Sequence, residues 1–150
     1  MNMYDVPKEF LTLGVEDQMR VILEIWLRLH HTDPRMGKFT HARASIDNIV
    51  DNVGSIGTIE WSLLIADDNS VSFVQPIKVG KFAYATIHKI VAHYLKEAPG
   101  ASKGRLTFRF TPPSVGFDLF SDSNEPVFAR HIIDPAADQR ARDAMHITTH

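Results

Sequence analysis

Two stretches of the chain repeat their apolar residues at steps of three and four, the period of an amphipathic helix. In residues 15–31, charges of alternating sign follow each other at four-residue steps on the opposite side. In residues 81–97, the polar side carries lysine, threonine and histidine. The apolar positions are Met19, Ile22, Leu23, Trp26 and Leu29 in the first stretch, and Tyr84, Ile87, Ile90, Val91, Tyr94 and Leu95 in the second. We therefore expect two helices that each bury one face.

Two further helices are predicted from their end signals. One of them covers residues 40–53. Thr40 is a suitable N-cap for this helix, and Gly54 suits the position directly after its last residue. Ile46, Ile49, Val50 and Val53 would form the apolar face of this helix. Asp134 followed by Pro135 predicts the start of a short C-terminal helix to about residue 145, with a frayed tail to 150.

Elsewhere the apolar period is two, which is typical of strands with one buried face. Strands are predicted at 58–65, 71–75, 105–111, 115–120 and 126–133. Turn residues separate neighbouring strands, as at Asp67–Asn69 and Ser121–Asn124. We therefore expect an α+β protein with a mostly antiparallel sheet of about five strands, two N-terminal helices, one central helix and a short C-terminal helix. All 150 residues should form one domain.

Composition removes several function classes. The chain has no cysteine, which excludes disulfides, thiolate metal sites and a cysteine nucleophile. Its first ten residues lack the apolar core of a signal peptide, and no run of 18 apolar residues occurs. The common motifs of serine hydrolases, zinc proteases and nucleotide-binding loops are also missing. We expect a soluble, cytoplasmic protein that associates with no membrane, needs no cofactor or metal, and binds a partner instead of catalysing a reaction.

The net charge of −2 conceals a strong asymmetry along the chain. Residues 44–77 carry five acidic side chains and no basic one, whereas residues 78–109 carry seven basic side chains and only Glu97 as an acid. The second segment therefore has a local charge of +6. A concentration of positive charge of this kind favours an anionic partner.

Seven residues of this segment are the candidate binding residues. Lys103, Arg105, Thr107 and Arg109 share parity on a predicted strand, so we expect their side chains on one face, spaced about 6.6 Å apart. Lys89, His93 and Lys96 lie on the polar side of the preceding helix. Arginine offers bidentate geometry to phosphate and lysine a point charge, and aromatic residues nearby (Phe82, Tyr84 and Tyr94) could stack on bases. The sequence therefore predicts an interface for nucleic acid, with RNA as the first candidate.

Other interpretations of the same residues stay open. The basic segment could be a solvated surface balanced by the acidic hairpin 58–68. It could instead contact an acidic protein, as in an immunity-type inhibitor or a phage-encoded accessory module. Histidines do not predict a metal site, because His88 and His93 are five apart and therefore about 140° apart around a helix. The acidic turns lack the central glycine of a calcium loop.

The segment Ser72–Leu95 resembles the acetyl-CoA loop of the GNAT acetyltransferases. Gly80 matches the family's glycine, whereas Ile77 and Phe82 stand where the family has Gln or Arg and Gly or Ala. In that family, backbone N–H groups at the start of the helix bind the pyrophosphate of the cofactor. The resemblance would imply a degenerate acyltransferase, which is the second alternative function.

Overall fold

The computed structural model describes residues 6–49, 57–66, 70–72 and 77–133, together with isolated positions between 135 and 143. The helices are α1 (Lys8–Leu11), α2 (Val15–Thr32) and α3 (Ile77–Tyr94), and a 3-10 turn, Leu95–Glu97, extends α3. The strands are β1 (His41–Asp47), β2 (Thr58–Leu64), β3 (Ser70–Ser72), β4 (Lys103–Phe110), β5 (Pro113–Phe120) and β6 (Pro126–Ile133). They form one six-stranded sheet in the order β3-β2-β1-β4-β5-β6, and every neighbouring pair is antiparallel. The protein is therefore α+β.

Helix α2 is stabilised by its charges as well as by its apolar stripe. Arg20 Nη1 lies 2.9 Å from Asp17 Oδ1 and its Nη2 lies 3.9 Å from Glu16, one turn earlier. Acidic residues occupy the first turn and His30 and His31 the last, which suits the helix dipole. The opposite side of α2 is fully buried at Met19, Ile22, Leu23 and Trp26.

All the described helices pack on one face of the sheet. Helix α2 lies over β4 and β5, and α3 packs beside it. Alternate residues of the strands, among them Leu106, Phe108 and Phe117, are fully buried in the same hydrophobic core as these helices. We call this the covered face, and the opposite face of the sheet the open face. Within the described residues, no helix packs on the open face.

All five predicted strands belong to the sheet over their described residues, and the prediction of 40–53 as a helix was wrong for its described part, since residues 50–53 lie outside the described ranges. Residues 41–47 are instead β1, which lies between β2 and β4. The helix was suggested by its end signals, Thr40 and Gly54, and by the spacing of the apolar residues from Ile46 onwards. In the folded chain Ala42, Ala44 and Ile46 alternate strictly with half-buried polar residues, and pairing with a strand on each side outweighs these local signals.

One other boundary differs from the prediction, and two predicted elements lie partly outside the described residues. Helix α3 begins at Ile77 instead of residue 81, so Gly80 lies in its first turn and not before it. The predicted strand 71–75 is described only over Ser70–Ser72, since residues 73–76 lie outside the described ranges. The C-terminal helix predicted from 135 to about 145 also falls largely outside the described residues and is not confirmed.

None of the helices within the described ranges is long and apolar enough to cross a lipid bilayer.

Candidate nucleic-acid interface

The four strand residues of the candidate site lie together on the open face. Along β4, Lys103, Arg105, Thr107 and Arg109 alternate with buried residues, and they are half-buried except for Arg109, which is exposed. The covered side of the same strand carries Leu106, Phe108 and Phe110. Because successive side chains of a strand point to opposite faces, the buried residues fix the direction of the basic ones.

Strand β1 adds charge to this face that the sequence did not assign to it. In the antiparallel register, His41 lies opposite Arg109, Arg43 opposite Thr107, and Ser45 opposite Arg105. Adjacent strands are about 4.8 Å apart, so Arg43 joins the two arginines of β4 in one group. We call the side chains of Arg43, Arg105 and Arg109 the arginine cluster.

On the other side of β4, β5 contributes smaller and mixed side chains. Ser114 lies opposite Arg109, Gly116 opposite Thr107, Asp118 opposite Arg105 and Phe120 opposite Lys103. The guanidinium of Arg105 lies over the ring of Phe120, 5.0 Å from its centroid. This cation–π contact places an aromatic ring on the open face beside the cluster.

Strand β6 brings a histidine to the same row as Thr107. His131 pairs with Gly116, and a Cβ atom built on Gly116 would lie 3.0 Å from His131 Nδ1 and 3.1 Å from its Cε1. The imidazole therefore lies over the backbone of β5 in space that any other residue at 116 would occupy. Gly116 is needed here for a close approach.

Asp118 is the carboxylate nearest to the arginine cluster. Its Oδ2 lies 4.0 Å from Arg105 Nε, and its Oδ1 lies 3.9 Å from His131 Nε2. Lys103 Nζ donates a hydrogen bond of 3.0 Å to Asn124 Oδ1. Arg43 and Arg109 form no ion pair within 4 Å of any carboxylate in the described part of the chain.

The environment of Arg43, one member of the arginine cluster, disfavours positive charge. Burial lowers the pKa of Arg43, and the charge of Arg105 lowers it further, while Asp118 partly opposes the change. The Nε atom of Arg43 is buried and has no hydrogen-bond partner in the described structure. Burial lowers the pKa of His41 as well, with smaller contributions from Arg109 and Arg43. Unpaired cations crowded in this way favour an anionic ligand.

The three helical candidates lie on the other side of the sheet. Lys89 of α3 donates a hydrogen bond of 3.1 Å to the carbonyl oxygen of Leu11 and another to that of Leu13. It therefore stabilises the connection between α1 and α2. His93 and Lys96 are exposed on the helical layer. The structure therefore brings together the four candidates of β4 and separates them from the three of the helix.

The aromatic residues expected to stack on bases are packed inside the helical layer. Phe82 contacts Phe10 edge-on at 4.7 Å between ring centroids, and Tyr94 packs between Phe117 and Phe128. Tyr84 lies 4.6 Å from the ring of His88. On the open face, Phe120 and the two imidazoles supply the flat rings instead.

Two other features of the described residues carry no comparable chemistry. No three histidine or acidic side chains among them converge as metal ligands do. A shallow groove of about 290 Å³ runs along the outer side of α2 between Val21, Ile25 and Leu29, bordered by Glu24, Arg28 and Thr32. All of its lining residues belong to one helix, so polar groups from different elements do not meet there.

Comparison with known proteins gives no relative from which a function could be transferred. Neither a protein-family model, nor a curated protein, nor a solved structure matches this chain. The resemblance to the acetyl-CoA loop of GNAT acetyltransferases is limited to Gly80 of that loop's fixed positions. The function has to be inferred from the open face itself.

Proposed function

We propose that this is a binding protein whose open face binds single-stranded nucleic acid through the phosphate backbone. The observation that carries the proposal is the arginine cluster, in which three guanidinium groups surround Thr107 on two paired strands. Guanidinium groups bind phosphate oxygens through paired, charge-assisted hydrogen bonds. A cytoplasmic location and a role as an accessory protein, with RNA as the preferred ligand, belong to the same proposal.

Single strands fit this face better than a duplex does. The face is a sheet surface with no described helix or hairpin rising from it to enter a groove of double-stranded DNA. Phe120, His41 and His131 offer rings on which exposed bases can stack, at opposite sides of the arginine cluster. A single strand laid over the sheet would place phosphates on the arginines and bases against these rings.

The proposal is tested by fluorescence anisotropy with labelled 20-nucleotide RNA, single-stranded DNA and duplex DNA at 50 and 200 mM salt. The double variant Arg43→Gln/Arg109→Gln should bind single strands at least about tenfold more weakly than the wild type. Its slope of log affinity against log salt should be shallower by about 1.4, because each phosphate contact to a single strand contributes about 0.7.

The matched control is the double variant Lys8→Gln/Lys96→Gln. It removes the same amount of charge from exposed positions of the helical layer. An equal loss of affinity in the control would show that binding depends only on net charge and would contradict the proposal. So would the absence of binding by the wild type at 50 mM salt.

A third arm uses a labelled polyglutamate peptide with the same charge as the oligonucleotide. Binding that is tighter to this peptide than to either nucleic acid would select the alternative function, an inhibitor or accessory module for an acidic protein. A rise in melting temperature with acetyl-CoA alone would select the acyltransferase alternative.

A further inference from the structure

One row of the open face has no carboxylate side chain and, unlike the rows on either side of it, has a glycine near its centre. It runs across four strands, from Arg43 of β1 through Thr107 of β4 and Gly116 of β5 to His131 of β6. The next row, through Ser45, Arg105 and Asp118, contains an acidic side chain, and Glu60 lies opposite Ser45 at its end. We call the row from Arg43 to His131 the central row.

Gly116 leaves a depression in the middle of the central row. The strands are about 4.8 Å apart, so the Cα atoms of Arg43 and His131 are separated by about 14 Å. Thr107 and Gly116 lie between them, and neither has a side chain that reaches far above the sheet. The ring of His131 leans over Gly116 towards β4, which narrows the depression from one side. Arg43, with its Nε unsatisfied, borders it on the other side.

The donors around this depression match a tetrahedral anion. A phosphoryl group offers oxygens in several directions, and the row supplies a guanidinium, a hydroxyl and an imidazole N–H from three directions. Arg105 and Arg109 lie about 6.6 Å along β4 on either side of Thr107. A planar carboxylate has only two oxygens and would leave part of this set unused.

We propose that the central row is a phosphoryl-binding subsite, in which Arg43 and Thr107 bind the phosphate oxygens and Gly116 lets His131 close over them. This inference rests on the proposed function and deepens it, because it names the part of the open face that holds a phosphate by geometry instead of by charge alone. The phosphate can be an internal phosphodiester or the terminal phosphate of a strand, and the test separates the two.

The test uses variants that leave the charge of the face unchanged. Thr107→Val keeps the shape of the side chain and removes its hydroxyl. Gly116→Ala introduces a methyl group where the His131 ring now lies. Each should weaken binding of the RNA 20-mer about three- to tenfold, the range expected for one hydrogen bond, with little change in the salt slope. Ser114→Ala removes a hydroxyl from the same face outside the central row and should change affinity less than twofold.

Two arms identify the source of the phosphate. The 20-mer is compared with and without a 5′-phosphate, so that a preference for the phosphorylated strand in the wild type that Thr107→Val loses would identify a terminal phosphate. Equal binding of both strands, with the same loss in the variants, would identify an internal phosphodiester. In addition, titration with inorganic phosphate should shift the His131 Cε1–H signal in proton NMR saturably, and less so in Gly116→Ala. Sodium chloride of equal ionic strength should not reproduce the shift.

The outcomes separate the subsite from the general function. If Thr107→Val and Gly116→Ala, with unchanged melting temperatures, bind like Ser114→Ala while Arg43→Gln/Arg109→Gln is weak, the subsite is wrong and the nucleic-acid interface stands. If the wild type binds no oligonucleotide, both proposals fail. If phosphate leaves the His131 signal unchanged, the subsite does not include His131.

Discussion

The covered face and the open face are made from the same strands but differ in the polar groups that they carry. On the covered face, Leu106, Phe108, Phe117 and Leu119 are fully buried, and the two buried polar residues of the described core hydrogen-bond to each other. Gln18 and Thr86 are the buried polar residues there: Thr86 Oγ1 donates to Gln18 Oε1 at 2.9 Å, and Gln18 Nε2 donates to the carbonyl oxygen of Phe10 at 3.1 Å.

Within the described residues, buried nitrogen atoms without a hydrogen-bond partner occur in both layers, at His30 Nδ1 and His88 Nε2 among the helices, but on the open face the unpartnered group belongs to an arginine. Arg43 lies near Arg105 and has a buried Nε without a hydrogen-bond partner in the described structure. Stability is not improved by such an arrangement, because a buried donor without a partner costs free energy. The two layers therefore differ in the kind of group that lacks a partner, and the position of Arg43 beside Arg105 supports the proposal that the open face binds an anion, since sites that break local rules of stability are often functional.

The largest expected effect is a substitution on the covered face. Phe108 is fully buried beside Trp61, so Phe108→Ala should lower the free energy of unfolding by about 3–5 kcal/mol. Its neighbour Thr107 points to the open face, and Thr107→Val should change that free energy by less than about 0.5 kcal/mol. Urea unfolding of both variants checks the difference. Similar losses would mean that both faces stabilise the fold, and the comparison would break down.

A smaller effect is expected where the covered face holds its buried polar pair. Thr86→Val keeps the volume of the side chain but leaves Gln18 Oε1 buried without its donor, at a cost of about 1–3 kcal/mol. Thr32→Val is the control, because the Thr32 hydroxyl bonds to the carbonyl oxygen of Arg28 in exposed surroundings. In the same urea experiment, Thr32→Val should lower the free energy of unfolding by less than about 0.5 kcal/mol. Equal losses of unfolding free energy in the two variants would show that burial does not determine how much these hydrogen bonds stabilise the fold.

Strand positions with clear alternation were predictable from the sequence, and β1 was not. The apolar residues on the covered side of β4 are large, so the sequence alone showed that Lys103, Arg105, Thr107 and Arg109 share the opposite face. On the covered side of β1, two of the residues are alanines, so the alternation is less evident. The spacing of Ile46, Ile49, Val50 and Val53 instead suggested a helix. The signal that could have found β1 is the strict alternation of polar His41, Arg43, Ser45 and Asp47 with Ala42, Ala44 and Ile46.

The composition of the candidate site depends on strand order, which local patterns do not contain. Arg43 joins Arg105 and Arg109 only because β1 pairs with β4 across more than fifty residues of chain. Likewise, Lys89 looked like a solvent-facing cation, but the connection between α1 and α2 places carbonyl groups within its reach. Segmental charge therefore indicated β4, while tertiary packing decided which other cations lie beside it.

Acidification should weaken the fold through histidines on both layers. Burial lowers the pKa of His88 and His31, with a smaller contribution from His30 at the latter, and burial also lowers the pKa of His41. The unfolded chain then takes up protons at higher pH than the folded chain does. The free energy of unfolding should therefore be fully retained above the usual histidine pKa of about 6.5 and fall as the pH decreases below it.

The variant His88→Phe tests this pH dependence on the helical layer. Phenylalanine keeps a ring beside Tyr84 and cannot be protonated. The decrease in the free energy of unfolding between pH 7.5 and 5.5 should be smaller in the variant than in the wild type, as measured by urea unfolding at each pH. An equal decrease in both proteins would show that burial of His88 does not contribute.

The smallest expected change in stability is the most informative about the open face. Arg43→Met keeps a long side chain over the sheet and removes a charge that burial and Arg105 both disfavour. The free energy of unfolding should stay the same or rise by about 0.5 kcal/mol, while the affinity for single-stranded RNA falls about tenfold. Lys96→Met, on the exposed helical layer, should change neither quantity appreciably. Opposite signs for stability and binding are expected only if Arg43 serves a ligand. If Arg43→Met instead loses more than about 1 kcal/mol of stability and binds RNA normally, Arg43 stabilises the sheet, and the open face differs from the covered face only in its polarity.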